Sequence, residues 1–351
     1  MLLISGRHIR IYTVCAPQLS IEFSGEKVFS TRDVLNTCRK RTMKDLRILL
    51  FVARAVLIVF VLSLSACSEQ ADETYTPEFS TAPLTTETEY IFGVHPLHNP
   101  QRLFEVFGPM MEYLSNNIDG VSFKLEASRN YQAFDEKLYA RKFDFALPNP
   151  FQTINAIDKG YKVFGKIGLD QNFRGIILVR KDSGVQKVSD LKGKAVSFPA
   201  PSALAATMMP QYYLQTHGVD VMTELDNRYV GSQESAMMNV YLRQTEAAGT
   251  WPPPWKEFCK QRPEIAEQLK AIWTTEPLVA LGLVVSPEIP DSITQQVIQL
   301  LTTPDEHGQG PDMLWRSEFS GVVTPATNET YFVVRDFLKK FSSEVRPLKY
   351  K

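Results

Sequence analysis

Between Tyr90 and Phe341 short apolar runs alternate with stretches of helical spacing, and this alternation restricts the chain to layers of sheet and helix. Tyr90–Val94 reads as a strand, and a loop from His95 leads to Pro100 at a first helical position. Gln101–Asn116 then places Leu103, Phe104, Phe107, Met111 and Leu114 on one helical face. Further strands are expected at Val121–Ala127, Phe143–Leu147, Tyr161–Gly165, Ile176–Arg180, Lys194–Phe198 and Leu278–Ser286. Helices are expected at Tyr131–Lys142, from Phe151, at Ala203–His217 up to Gly218, at Asp291–Leu301 and at Tyr331–Phe341. The class is α/β with largely parallel sheets. About 260 residues is long for one such sheet, so two lobes are expected.

The N-terminal region carries an address. A basic flank at Lys44, Arg47 and Arg54 precedes Ala55–Leu64 (AVLIVFVLSL), which is followed by Leu64-Ser65-Ala66-Cys67. An apolar run of about ten residues is too short to cross a bilayer core as a helix. Its order of charge, apolar run and small residues is that of a secretory signal. Leu-Ser-Ala-Cys resembles the bacterial lipobox, which implies a signal peptide over 43–66 and lipid on Cys67. Ser68 stands where an aspartate would favour inner-membrane retention, which points to the outer membrane. A signal from Met43 has ordinary length, so residues 1–42 read as preceding the true start or as unstructured. Residues 67–89, rich in Ser, Thr, Glu and Pro, read as a flexible tether.

Charge and cysteines narrow the class. The 38 basic and 39 acidic residues give a net charge of -1, which excludes the basic excess of a nucleic-acid surface. The four cysteines, at 15, 38, 67 and 259, fit no zinc or CxxC spacing. Cys259 reads as a small buried hydrophobe. Neither a cofactor nor a metal is expected; the His95/His98 pair lacks further ligands at a useful spacing.

Several phrases carry a family resemblance. Val188-Ser189-Asp190-Leu191-Lys192-Gly193-Lys194-Ala195-Val196 resembles the DLKGKxV segment of periplasmic solute-binding proteins, and Gly175–Gly184 resembles the strand and turn that enter their second lobe. Asn130-Tyr131-Gln132-Ala133, Phe143–Ala146 with Asn149-Pro150, and Pro201-Ser202 with Pro210 add to this. In this order the phrases resemble the phosphate/phosphite/phosphonate substrate-binding family of ABC transporters over roughly Tyr90–Phe341. The resemblance implies a type II fold with two hinge-crossing strands. Lobe 1 would hold 90–175 and 283–345, and lobe 2 would hold 176–282. It also implies a small solute held between closing lobes, with an ABC permease as partner. Relatives usually show Ser-Thr-Ser-Gly at the start of the second-lobe helix, whereas this chain has Ser202-Ala203-Leu204-Ala205-Ala206. Three hydroxyl or glycine positions are therefore replaced, and a less charged or more apolar ligand enters consideration.

Candidate ligand contacts are Tyr131, Asn149, Ser202, Ser232, Gln233, Glu234 and Trp251. Tyr131 matches a ligand-contacting tyrosine of the family, or sits on the core face of its helix. Asn149 ends an apolar strand, the usual ligand edge of α/β sheets. Ser202 and Ser232 each precede a helix and could bind ligand or cap, and Gln233 and Glu234 follow in the second of those helices. In Thr250-Trp251-Pro252-Pro253-Pro254-Trp255 the prolines stiffen a loop, and the two tryptophans could wall an organic ligand or pack beneath it. Arg174, near the hinge, could balance an anion or face solvent. The chain has no GxSxG, HExxH, Walker A or GxGxxG motif, which fits a protein that binds without catalysis. A sensor whose closed form docks on a membrane signalling protein, with a non-phosphorus organic ligand, is the alternative to transport.

Overall fold

Phe92 and Val94 of the first strand, β1 (Thr88–Val94), are fully buried, and its backbone pairs in parallel with strands on both sides. The computed structural model describes residues 87–302 and 323–348, all within the unit Pro83–Lys351. The expectations for Cys67, for 1–42, for the signal over 43–66 and for the tether up to 86 lie outside the described residues. After β1 come α1 (Pro100–Asn117), β2 (Val121–Ala127), α2 (Tyr131–Tyr139), β3 (Phe145–Leu147), α3 (Pro150–Asp158) and β4 (Lys162–Ile167). A second run follows: β5 (Ile176–Arg180), β6 (Ala195–Phe198), α4 (Met209–Thr216), β7 (Asp226–Tyr229), α5 (Gln233–Tyr241), β8 (Ala247–Thr250), α6 (Pro252–Gln261) and β9 (Leu269–Thr274). The chain ends with β10 (Leu281–Val285), α7 (Asp291–Thr302), β11 (Val323–Pro325) and α8 (Phe332–Glu344).

The strands form two sheets, ordered β11-β4-β10-β3-β1-β2 and β7-β6-β8-β5-β9. The chain therefore crosses from the first sheet to the second after β4 and returns before β10. The two crossing segments run side by side. Thr275 N–H donates to the Gly175 carbonyl at 2.9 Å, and Leu278 N–H donates to that of Phe173 at 2.9 Å. The sheets are mixed rather than largely parallel: β10 is antiparallel to β3 and β4, and β5 is antiparallel to β8 and β9. Parallel neighbours need a covering crossover helix, whereas β5 and β10 enter directly from the crossing segments.

The apolar run IILVR has a simple cause. Ile177 and Val179 point into the large core, while Ile176 and Leu178 pack into a second cluster with Met237, Val240 and Phe258. Both faces of β5 are covered, so no polar alternation survives. Helix α1 buries Leu103, Val106, Phe107, Met110, Met111 and Leu114, and Asn99 caps it by accepting from Arg102 N–H at 2.9 Å. Phe104 departs from the expected face. It is 50% exposed: it shares spacing with Phe107 and Met111 but lies about 100° round the helix from Leu103, at the edge of the buried stripe.

The proline triplet also differs from expectation. Pro252, Pro253 and Pro254 begin α6 instead of stiffening a loop. First-turn N–H groups have no intrahelical partner in any case, so prolines cost nothing there.

Candidate ligand-binding site

The segment expected as one helix over Ala203–His217 begins with a wider turn. Ala203 makes no side-chain cap, and Leu204–Met208 is π-helical before α4 starts. Thr207 N–H and Met208 N–H both donate to the Ala203 carbonyl, at 2.9 and 3.2 Å. Leu204, Ala205 and Ala206 precede the first intrahelical bond, and their N–H groups have no partner among the described residues. Two glycines let this turn approach the sheet. A Cβ at Gly249 would lie 2.1 Å from the Ala206 carbonyl oxygen, and one at Gly175 would lie 2.7 Å from that of Ala205.

These three residues face a narrow, open-mouthed cavity of about 190 Å³, part of which is open to solvent. Its other walls include His95, Tyr131, Asn149, Phe173, Gln233 and Trp251. The walls come from both sheets' elements, and polar contacts span them. Asn149 Nδ2 donates to the Ser202 carbonyl at 3.0 Å, while Asn149 Oδ1 caps α3 by accepting from Phe151 and Gln152 N–H. Gln233 Nε2 donates to the Tyr131 hydroxyl oxygen at 3.1 Å, and Gln233 Oε1 accepts from Thr250 Oγ1 at 3.2 Å. The chain Thr250–Gln233–Tyr131 fixes a polarity: with its oxygen accepting, the Tyr131 hydroxyl has its own proton left to donate. Burial pushes the Tyr131 phenol far above its ordinary range, so that proton stays on.

His95 is buried, and its Nδ1 lies 2.9 Å from the Leu147 carbonyl, which also accepts the His95 backbone N–H at 3.1 Å. Burial lowers its pKa to about 4, against the opposing pull of the Leu147 bond, with His98 lowering it further. The ring is therefore neutral near pH 7. Trp251 is buried and packs edge-on to Phe173, with ring centroids 5.4 Å apart. None of the cavity-lining residues is Lys, Arg, Asp or Glu. Among the described residues no cluster of His, Cys, Asp or Glu could hold a metal ion.

The structure thus gathers Tyr131, Asn149, Gln233 and Trp251 round one cavity. Ser202 contributes its backbone carbonyl to Asn149 and does not cap the helix, because the wider turn moves the helix start to Ala203. Ser232 caps α5 by accepting from Ser235 N–H at 3.0 Å. Glu234 pairs with Arg262 at 2.8 Å, and both Ser232 and Glu234 line a neighbouring hollow instead. Trp255 stacks on Phe258, away from Trp251, since α6 turns it toward the second cluster. Arg174 is bonded to the Gln171 carbonyl and does not line the cavity. Sequence reasoning places an oxyanion-suited helix start after Ser202 and weighs His95 only as half of a metal-binding pair; it misses Phe173, Thr250 and which three residues carry the free N–H groups. For His95 the one available signal is its place immediately after an apolar strand, at the sheet edge where ligands gather.

Two sheets joined by two crossing segments, with a cavity lined from both, define a two-lobed fold. The profile of the family described as "ABC transporter, phosphonate, periplasmic substrate-binding protein" matches residues 92–331, and the chain belongs to that family. Among solved structures it resembles a binding-protein component of an ABC phosphonate transporter from Pseudomonas aeruginosa. The TM-score is 0.66 at 17% identity, covering 72% of this chain and 87% of that one. PhnD1 from Prochlorococcus marinus, in complex with methylphosphonate, gives a TM-score of 0.67 at 17% identity over 73% of this chain and 99% of that one. The alkanesulfonate-binding protein SsuA from Xanthomonas axonopodis pv. citri, bound to MOPS, gives 0.54 at 14% identity over 75% and 95%. These likenesses establish the type II periplasmic-binding-protein fold. The family is one of transport components, not of enzymes. It implies a small-molecule ligand, an ABC permease partner and a place outside the cytoplasm.

Proposed function

We propose that this protein binds a small phosphonate- or phosphate-like oxyanion in the cavity and delivers it to the permease without chemical change. The reading rests on one observation: three unpartnered N–H groups, on Leu204, Ala205 and Ala206, line a cavity that also holds the Tyr131 hydroxyl. Orphan N–H groups at a helix start carry partial positive charge and suit an oxyanion. Backbone donors thus replace the hydroxyls of the usual Ser-Thr-Ser-Gly run, so their loss does not empty the site of donors. In this reading lobe 1 comprises 90–175 and 283–345, and lobe 2 comprises 176–282. Closure joins them through Tyr131–Gln233 and Asn149–Ser202.

The test is calorimetric titration of the detergent-solubilised full chain with methylphosphonate, phosphite, phosphate, sulfate and methanesulfonate. Saturation at a hundred times the dissociation constant adds about 2.7 kcal/mol to stability, a rise of several degrees in Tm. Heat and stabilisation with a phosphorus oxyanion support the proposal; silence with all five anions sinks it. We also assign lipid to Cys67, with the outer membrane as its destination. Incorporation of an alkyne fatty acid into the wild-type chain and not into Cys67→Ser is the expected result. Fractionation of the labelled chain reports the membrane.

A further inference from the structure

The donors above leave open what the cavity asks of the ligand in return, and the hydrogen bonds around His95 answer this. The Leu147 carbonyl has no proton to give, so the 2.9 Å contact requires the hydrogen on Nδ1. A neutral imidazole protonated at Nδ1 presents a bare lone pair at Nε2. His95 is 1% exposed, yet it lines the cavity, and Nε2 has no protein partner among the described residues. The other side-chain acceptors on the wall are committed. Asn149 Oδ1 holds the first turn of α3, and Gln233 Oε1 holds Thr250.

The lining therefore has several donors and one free nitrogen acceptor, with no cationic side chain. A ligand that satisfies it has oxygens for the N–H groups, a single negative charge and one O–H. A fully ionised oxyanion would set a lone pair against Nε2 and leave a buried acceptor unpaired, which is costly.

We propose that His95 makes the site selective for singly protonated phosphorus oxyanions, such as a hydrogen phosphonate, over sulfonates and over phosphonate dianions, by accepting the ligand's O–H at Nε2. The inference rests on the reading of the cavity as an oxyanion site. The titratable groups around His95 are Tyr131 on α2, with Asp135 on the same helix acting on Tyr131, and His98 in the His95 loop. The histidine stays neutral well below the pH at which a phosphonate loses its second proton, so the ligand and not the residue changes charge near neutrality.

The experiment compares methylphosphonate with methanesulfonate, which match in shape and differ in the O–H. Titrations of the full chain run from pH 6 to pH 9. Methylphosphonate is expected to bind at least about tenfold more tightly at pH 6, the size of one well-made hydrogen bond. Its affinity then falls through the second ionisation of the ligand, while that for methanesulfonate stays level. His95→Asn preserves a donor toward Leu147 and removes the Nε2 acceptor. It should lower methylphosphonate affinity about tenfold and leave methanesulfonate unchanged or tighter. If that variant does not fold, the wild-type ratio and pH profile decide alone. Equal affinities, or tighter phosphonate binding as pH rises, overturn the role of His95 and leave the oxyanion site standing. No binding by either anion, or by phosphite or phosphate, overturns both.

Discussion

Tyr131 shows how one side chain gets its function from a partner 102 residues away. Without Gln233 donating to its oxygen, the hydroxyl could rotate and offer either a proton or a lone pair. With it, one lone pair is engaged and the proton is turned away from Gln233, free to be donated into the cavity. Tyr131→Phe should therefore weaken phosphonate binding about tenfold, with a smaller loss of stability, because the ring stays packed. Calorimetry beside a melting curve separates the two effects; unchanged affinity would remove Tyr131 from the site. His95 also ties stability to pH. Its folded-state pKa of about 4 lies below the ordinary value of 6.5, so the unfolded chain takes up the proton first as pH falls. Its contribution is full above pH 6.5 and is lost between there and pH 4, to a total of about 3 kcal/mol. Denaturant midpoints of wild type and His95→Asn should converge as pH drops through that window.

At the scale of the element, the turn at Leu204–Met208 sets the donors, and its shape is imposed from outside. Gly249→Ala would drive a methyl group into the Ala206 carbonyl and the Phe198 ring. A loss of about 2 kcal/mol or more is expected, together with binding, as read by denaturant titration. Asn149→Asp tests the neighbouring helix differently. The carboxylate can still cap α3, but it cannot donate to Ser202, so binding should suffer more than stability. The α/β class and most elements were legible because burial writes periodicity into the residues nearby, as the α1 stripe and the doubly buried β5 show. The turn was not. Ala203–Met208 reads as ordinary helix, and the glycines that let it lie against the sheet stand about thirty residues before it and forty after it. Nor was His95 legible, since the carbonyl that settles its tautomer lies 52 positions along the chain.

Over the whole molecule, a half-buried ion pair reinforces the contacts at the cavity. Arg102 on α1 meets Glu257 on α6 at 3.3 Å, with side chains 12% and 14% exposed, and Arg102 also pairs with Glu105 at 3.2 Å. The Glu257 contact joins the two sheets' elements, whereas Glu105 belongs to the same helix. Glu257→Gln should weaken ligand binding about fivefold and enlarge the radius of gyration in X-ray scattering, while Glu105→Gln leaves both unchanged. Equal effects would show that the pair does not favour closure. The crossing segments carry a different consequence. Everything in the second sheet is one uninterrupted stretch of chain, and its ends, at Gly175 and Thr275, are hydrogen-bonded neighbours. Such a stretch is a cassette. A paired exchange, with one junction at Gly175 and one at Thr275, would replace the half that bears the backbone donors, Gln233 and Trp251, while His95 and Tyr131 stay in the recipient.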